Sequence, residues 1–285
     1  MYSPEVLGID EAHLCPEVRR SPNDGMRGVF VDVKERKILN ITKDRYKNTV
    51  VEWLRHMRES DNLKIVTMNM WDGYRQAVYE VFVNSVKVVV DRFHVIQELL
   101  VQMQKVRNNI YKELPDGALR NHRNNISLLK SNIKDLDDER KRQLNRLFEA
   151  VPDIKTCYAL KESFRSIYHY DTRTQAEEAF SNWEVAIPPG PKFKPYKQVA
   201  KSFRKWHKEI FNYFDCGRVT NAVTEAMNGI IKKINRMGNG YSFDVLRAKV
   251  LYVAGRSTYT TAIPKTPVPN VPIPAHDSIT SMQNI

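Results

Sequence analysis

Residues 63–94, LKIVTMNMWDGYRQAVYEVFVNSVKVVVDRFH, contain two short apolar runs on either side of a helical pattern. The runs Leu63–Met68 and Val86–Val90 are rich in β-branched residues, as buried strands are. Between them, Trp71–Phe82 places apolar side chains at helical spacing. A strand, a helix and a second strand in this order imply parallel pairing of the two strands. The segment therefore predicts an α/β fold.

The residues before this segment predict three more strands and one helix. Val6–Asp10 is a short apolar run that ends in a carboxylate, and Gly28–Val33 is also strand-like. A turn at Lys34–Arg36 joins the latter to Lys37–Ile41, which predicts a hairpin. Lys47–Arg58 has apolar residues at helical spacing. The predicted order is β-β-β-α-β-α-β, and the opening hairpin makes the sheet mixed.

The remaining sequence predicts helices and then a tail. From Phe93 to about Phe214 every apolar pattern is helical, which indicates an insertion into, or a cap upon, the α/β unit. A break at Pro188–Pro191 precedes a last helical pair near 197–213 and 221–235 and a helix near 243–253. We expect four parts: a first core segment, a helical insertion, closing core helices and a disordered Pro/Ser/Thr-rich tail, at 1–95, 96–215, 216–255 and 256–285.

Composition restricts the class of protein and its partners. The 285 residues carry 45 Lys and Arg against 33 Asp and Glu, a net charge of +12, which favours nucleic acid over a membrane as a partner. No apolar run reaches the roughly 18 residues of a membrane span. Met1–Pro4 does not resemble a secretory signal, so we predict a cytoplasmic protein. Cys15, Cys157 and Cys216 are scattered, which argues against a disulfide framework and a structural zinc site.

Two predicted strand ends carry polar side chains that suit catalysis. Asp10 and Glu11 follow the first run, where a rigid element could aim them at a metal ion, although a loop acid that caps a turn fits the local sequence better. Asn69 follows Met68 at a strand end, where ligands gather in α/β sheets. Alternatively, Asn69 only starts a turn and Asp72 opens the next helix.

Two further positions have both a structural and a chemical interpretation. Glu225 lies on a helix face with Asn228 and Lys232, and Thr220 or Asn221 can cap that helix, so its spacing is that of an ordinary amphipathic helix. Asp91 and His94 follow the last strand and could ligate a metal. A structural hydrogen bond between them is favoured, because no third and fourth ligand lies nearby in sequence.

The combination of these features is more informative than any one of them. A β-β-β-α-β-α unit with acids at two element ends and a third open position suits two-metal phosphoryl transfer, in which carboxylates hold two divalent ions. Mg²⁺ accepts oxygen ligands and keeps several waters, so few carboxylates suffice.

Several motifs, in the same order along the chain, resemble the ISL-three family of bacterial insertion-sequence transposases. More broadly, they resemble Asp-Asp-Glu transposases with an RNase H-like core. The resemblance covers about Val6 to Val253, nearly the whole predicted fold. The matching motifs are Gly8–Glu11, Met68–Trp71, Tyr74–Ala77, Asp91–His94, Leu160–Phe164, Thr220–Glu225, Asn228, Ile231–Lys232 and Gly240–Phe243.

The resemblance implies a function and roles for particular residues. Asp10 matches the first catalytic Asp and Glu225 the catalytic Glu, both as metal ligands, while the second catalytic Asp falls on Asn69. Asp91 and His94 match a supporting Asp-x-x-His element. Family members cut DNA at element ends and join the 3′-hydroxyl to target DNA with Mg²⁺ or Mn²⁺, commonly as dimers. The helical block resembles the insertion domain of such enzymes.

The chain departs from the family pattern in two respects. Asn69 keeps a carbonyl oxygen but lacks the charge of Asp, so affinity for two cations should fall and activity should be impaired or lost. It could mark a decayed natural copy or a deliberate Asp→Asn change. Family members also usually carry an N-terminal zinc-binding and helix-turn-helix region, whereas this chain has no Cys-x-x-Cys and begins just before the first strand. We therefore expect weak recognition of element ends.

Residues 191–208 form a basic segment with interleaved aromatic residues. We predict that its cations bind DNA phosphates, although a merely solvated face is the alternative. The aromatic residues could stack on bases but are better explained as core. The predicted DNA-binding residues are Lys192, Lys194, Lys197, Lys201, Arg204, Lys205 and Lys208, continued by Lys232, Lys233 and Arg236. The aromatic residues are Phe193, Tyr196, Phe203 and Trp206.

Three functions fit these features. The first is the catalytic domain of a DNA transposase that is impaired by Asn69. The second is a catalytically inactive remnant that keeps the fold and binds DNA. The third is an RNase H-like nuclease acting on RNA or structured DNA, against which the resemblance through the helical block argues.

Overall fold

The computed structural model describes residues 3–14, 25–57, 62–83, 85–114 and 125–253. Cys15, one of the three scattered cysteines, and the segment 256–285, predicted to be a disordered tail, lie outside these residues. Within the described part of the chain, none of the helices has the length and apolar character needed to cross a membrane.

Five strands form one mixed sheet in the order β3-β2-β1-β4-β5. Strand β1 pairs antiparallel with β2 and parallel with β4, while β2 pairs antiparallel with β3 and β4 parallel with β5. The predicted α/β class, an RNase H-like mixed sheet with a large helical insertion, is confirmed. The strand bounds are β1 Val6–His13, β2 Met26–Asp32, β3 Lys37–Ile41, β4 Ile65–Met68 and β5 Lys87–Val90.

Most of the described residues outside the sheet are helical. The α-helices are α1 Lys47–Arg55, α2 Asp72–Phe82, α3 Arg92–Lys112, α4 Ile126–Lys130, α5 Asp138–Ala150, α6 Pro152–Ser166, α7 Arg173–Val185, α8 Lys194–Lys205, α9 His207–Asp215, α10 Ala222–Met237 and α11 Phe243–Val253. Short 3-10 turns lie at Ile133–Asp135 and Ile167–His169. Asp72 is the first residue of α2, as the helix-opening interpretation predicted.

The sheet is covered on both faces because side chains alternate along each strand. Leu7 and Ile9 of β1 pack with residues of α1 and α2. On the other face, Ala12 of β1 packs with Met227 of α10 and with residues of α11. Both closing helices thus lie directly on the sheet, and α10 runs against its central strand.

The helical block between β5 and α10 has a large apolar core that also includes Val89 and Val90 of β5. Trp183 and Phe203 are buried in it, and the Trp183 indole donates to the Leu160 carbonyl at 2.8 Å. Tyr196 and Trp206 are buried in the same core, as is Phe193. The prediction that these interleaved aromatic residues are core is therefore confirmed, and their burial excludes them from stacking on bases.

The structure differs from the sequence-based boundaries at two places. Strand β1 does not end at Asp10 but continues to His13, because its pairing with β2 persists where the parallel partner β4 has already ended. Asp10 therefore lies inside a strand and not in a loop. The helix predicted near 197–213 is two helices separated at Trp206, whose φ of −107° and ψ of 18° leave the α-helical region.

Candidate active site

The sheet brings three polar residues side by side. In the parallel register, Ile9 pairs with Met68 and Met68 with Val90, so the next residues, Asp10, Asn69 and Asp91, lie at the same level of three neighbouring strands. The Asp91 amide donates to the Met68 carbonyl at 2.9 Å, which extends the ladder by one residue. The carboxyl ends of β4 and β5 thus meet the middle of β1.

Helix α10 is fixed to this edge by buried polar contacts. The Asn221 side chain donates to the Ile9 carbonyl at 3.2 Å and accepts from Thr67 Oγ1 at 2.9 Å. Gly8 leaves the space that this contact needs: a Cβ there would overlap Thr224 Oγ1 and lie 2.8 Å from Asn221 Oδ1. Asn221 occupies the N-cap position, but its side chain makes no capping bond, because both of its polar atoms bind the sheet.

The position of α10 places Glu225 and Asn228 over the strand ends. Asn228 Nδ2 donates to Asp10 Oδ2 at 2.9 Å and also approaches the Glu11 carbonyl at 3.3 Å. Tyr74 Oη donates to the Asp10 carbonyl at 3.4 Å from the opposite side. Asp10 is therefore held by neighbours from two helices. From the sequence, Asn228 is expected only to share a helix face with Glu225, three residues before it. This spacing is the signal that Asn228 lies near the candidate site.

Asp91, His94 and Glu225 form a cluster; the sequence indicated the Asp91–His94 pair but not that Glu225 contacts it. Their nearest ligand atoms all lie within 4.8 Å of one another. His94 Nδ1 is 3.4 Å from Asp91 Oδ2 and 4.0 Å from Glu225 Oε1. The Asp91–His94 pair that the sequence favoured is in contact, but Asp91 Oδ2 and His94 Nδ1 are buried and do not form a well-aligned hydrogen bond. The third group comes from α10, far away in sequence.

Asn69 is engaged with Glu11, not with this cluster. Its Nδ2 donates to Glu11 Oε2 at 2.6 Å, and the other carboxylate oxygen of Glu11 contacts Arg45 at 3.0 Å. The Arg45 guanidinium lies 4.0 Å from the centroid of the Trp71 ring, which completes the network. Because a carboxylate only accepts here, the amide must donate, and Asn69 Oδ1 is left buried without a partner. Asp72 contacts Arg75 and Lys205, so its carboxylate does not replace the missing one.

Burial and mutual repulsion shift the protonation of the acids. Burial, together with Glu11 and Glu225, raises the pKa of Asp10 to about 6. Burial and the nearby Asp91 charge also raise the pKa of Glu225. For His94, burial opposes the charged form, but contact with Asp91 and the charges of Asp10 and Glu225 outweigh it and raise its pKa. The site therefore has an excess of negative charge that favours a cation.

Asp10→Asn is expected to stabilise the fold in a chelator at neutral pH. A buried carboxyl whose pKa rises from 3.8 to about 6 loses stability as the pH rises through that window. Removing the charge should recover on the order of 1–3 kcal/mol in the free energy of unfolding, and Asn still accepts a bond from Asn228. The measurement is urea unfolding at several pH values. The gain should shrink below pH 6, and a gain that is constant with pH would contradict this origin.

The donor set of this edge fits a divalent cation. Asp91 is 2% exposed, yet its Oδ2 has no hydrogen-bond partner, and the Nδ1 of His94 beside it has none either. Buried polar atoms are normally paired, so unpaired ones that converge on one point suit a ligand. Carboxylate oxygens and an imidazole nitrogen are ordinary ligands of divalent metals.

The basic residues divide into two groups. Four have partners within the protein: Lys192 contacts Asp153 and Glu113 at 2.7 and 2.9 Å, Arg204 contacts Glu184 at 2.6 Å, Lys205 contacts Asp72, and Lys208 lies 5.2 Å from the Tyr79 ring centroid. The others are exposed, and in the described part of the chain no acid lies within ion-pair distance of them. They are Lys194, Lys197 and Lys201 on α8 and Lys232, Lys233 and Arg236 on α10.

Comparison with known proteins identifies the family. A family model described as a transposase, that of the ISL-three Asp-Asp-Glu family, matches residues 7–250. The chain therefore belongs to the ISL-three transposase family. No protein with a curated description matches it at a significant level.

Proposed function

We propose that the chain is the catalytic core of a DNA transposase that cuts and joins DNA strands by metal-assisted phosphoryl transfer, with activity reduced by Asn69. The observation that carries the proposal is the convergence of Asp10, Asp91, His94 and Glu225 from β1, the end of β5, α3 and α10 at one edge of the sheet. The excess negative charge there fits Mg²⁺ or Mn²⁺ at the scissile phosphate.

The roles of the residues follow from their surroundings. Asp10, fixed by Asn228, and Glu225 would hold the metal, with Asp91 and His94 in support. A bound divalent cation would polarise the attacking or the leaving oxygen of the phosphate. Asp10 lies in the paired region of β1, and rigid support of this kind keeps a catalytic carboxylate within the narrow geometry that strand transfer needs.

Position 69 explains why we expect low activity. A second Asp would add a third carboxylate to Asp10 and Glu225, whereas Asn69 adds none. Its amide is also bound to Glu11, which is held in turn by Arg45. Two cations close together need several negative ligands, so the affinity for the pair should fall.

DNA binding is assigned to the unpaired basic residues. Helix α8 packs on α3, and Val199 and Ser202 line one small cavity with Met70, the residue after Asn69. The exposed lysines of α8 are therefore carried by a helix that reaches the edge of the candidate site. We propose that they and the basic end of α10 contact the DNA backbone, and that the four partnered residues contribute less.

Lys197→Glu with Lys201→Glu is expected to flatten the salt dependence of binding to non-specific duplex DNA. For each phosphate that is no longer bound, the slope of log Kobs against log salt should fall by about 0.9. The measurement is fluorescence anisotropy over a range of NaCl concentrations. Lys130→Glu with Lys134→Glu, two exposed lysines with the same spacing of four residues, is the matched charge control. Equal slopes for the two double variants would contradict the assignment to α8.

The proposal is tested by joining a labelled duplex, which carries the ends of the chain's own element, to a supercoiled plasmid. With Mn²⁺ and excess protein we expect slow formation of joined product, absent in Glu225→Gln. Asn69 itself favours a second candidate, a remnant that binds DNA without chemistry. DNA binding without any joined product, even after Asn69→Asp, would support the remnant. Light scattering of the DNA complex tests whether this chain forms a homodimer, as family members commonly do.

A further inference from the structure

The cluster of Asp91, His94 and Glu225 contains a nitrogen ligand and does not contain position 69. Asp91 follows β5 directly, His94 lies in the first turn of α3, and Glu225 lies in the first turn of α10. All three residues lie in the described part of the chain, and each offers an atom within 4.8 Å of the others. A single cation between them would have three protein ligands of two chemical kinds.

We propose that Asp91, His94 and Glu225 hold one divalent cation of the transition series, Mn²⁺ or Zn²⁺, in preference to Mg²⁺. The inference rests on the proposed function only for the location of the site, which is the same edge of the sheet. Mg²⁺ prefers oxygen ligands and gives up its waters reluctantly, whereas imidazole suits transition-series cations. His94 is therefore the residue that determines the selectivity.

The surrounding structure fixes the backbone segments that carry the three groups. The Asp91 amide is bonded to the Met68 carbonyl, and the Asp91 carboxylate is almost completely buried. The Phe93 ring meets the His94 imidazole edge-on, with the centroids 5.9 Å apart. Asn221 fixes the start of α10 to the sheet, one turn before Glu225. Preorganised ligands lose little freedom on binding, which favours tight coordination.

The unpaired atoms are the second observation that points to a ligand. Asp91 Oδ2 and His94 Nδ1 face each other at 3.4 Å without a well-aligned hydrogen bond, and no other described residue bonds either atom, so both can reach a common cation. Leaving buried polar atoms unpaired costs free energy. A cation would satisfy both atoms and would also screen the repulsion between Asp91 and Glu225.

Because Asn69 is not a ligand of this cluster, we expect one transition-series cation to bind even where a two-metal centre is incomplete. Asp10 lies nearby and would add attraction without adding a ligand of the cluster, since it is not one of the three converging groups. The Asp10→Asn and His94→Ala variants therefore distinguish the cluster from the triad of the family resemblance.

Isothermal titration calorimetry of the metal-free chain with MnCl₂, ZnCl₂ and MgCl₂ tests the proposal. We expect one Mn²⁺ per chain and a Mn²⁺-to-Mg²⁺ affinity ratio that falls by at least about tenfold in His94→Ala. Asp10→Asn should keep the ratio, and His56→Ala, at an exposed histidine elsewhere, should change nothing. Pulsed paramagnetic resonance of bound Mn²⁺ should detect nitrogen coupling that His94→Ala abolishes.

An unchanged affinity ratio in His94→Ala, or Mn²⁺ without nitrogen coupling, would overturn the proposal and leave the strand-transfer function standing. Selective Mn²⁺ binding, combined with no joined DNA product even from the Asn69→Asp variant, would support this cation site and overturn the strand-transfer function. If His94→Ala fails to fold by circular dichroism, His94→Gln, which also lacks the imidazole, replaces it, with the same expected fall in the affinity ratio and the same loss of nitrogen coupling.

Discussion

Asn69→Asp is expected to raise the rate of strand transfer by about 100-fold or more, the size of effect associated with one preorganised electrostatic group in an active site. A third carboxylate would join Asp10 and Glu225 and strengthen the binding of two cations. The rate of joining is measured under single-turnover conditions with Mg²⁺ and with Mn²⁺. The increase should be larger with Mg²⁺, since Mg²⁺ depends most on oxygen ligands.

The same substitution is expected to destabilise the protein when a chelator is present. The Asn69 amide donates to the Glu11 carboxylate at 2.6 Å. Asp at position 69 would instead place a second carboxylate against Glu11, which its contact with Arg45 keeps in this position. The loss of a buried bond and the repulsion should lower the melting temperature, and Mn²⁺ should restore it. Asn69→Ala removes the bond without adding a charge and is the control. Equal rates for the unaltered chain and the Asn69→Asp variant, together with equal melting temperatures, would contradict our account of this position.

Gly8→Ala is expected to lower the free energy of unfolding by about 1–3 kcal/mol, the usual cost of an added methyl in a packed interior. A Cβ at this position overlaps Thr224 Oγ1 and crowds Asn221 Oδ1, so α10 must move away from β1. Because Glu225 and Asn228 lie on α10, joining of DNA and Mn²⁺ affinity should fall together with stability. Urea unfolding and calorimetry measure the two effects.

Gly229→Ala provides the matched control on the same helix. A Cβ at Gly229 has no neighbouring atom within 4 Å, and Ala is favoured over Gly inside a helix by about 1 kcal/mol. This variant should therefore be slightly more stable and should retain its metal affinity. If Gly8→Ala behaves like Gly229→Ala, the close contact between β1 and α10 does not position the site.

The alternation of apolar runs was sufficient to predict the sheet. Leu63–Met68 and Val86–Val90 are short, apolar and separated by a helical pattern, and they correspond to parallel strands β4 and β5. Local patterns identified the aromatic residues of 193–206 as core, since their spacing follows a helix. The end of β1 was placed too early, because pairing with β2 is a contact between segments that local sequence does not show.

The candidate site was predictable only in part. Asp10, Asn69 and Asp91 could be placed at or beside strand ends, and the family resemblance named Glu225. The Asp91–His94 pair could be inferred, but its contact with Glu225 could not, because Glu225 is brought to Asp91 by the docking of α10 on the sheet. Lys192, Arg204 and Lys205 likewise form ion pairs with acids of other segments. The sequence shows the positive charges of these residues but not that acids elsewhere in the chain neutralise them.

The sequence by itself determined the α/β class, the mixed sheet, the helical block and the identity of residue 69, since each depends on local periodicity or on one side chain. The tertiary structure decided what Asn69 binds and which groups can share a cation. These depend on the buried contact of Asn221 and Thr224 with Gly8 and Ile9, made between segments more than 200 residues apart. Nothing in the local pattern of either segment encodes that contact, because it depends on shape and hydrogen bonding across the packed interface.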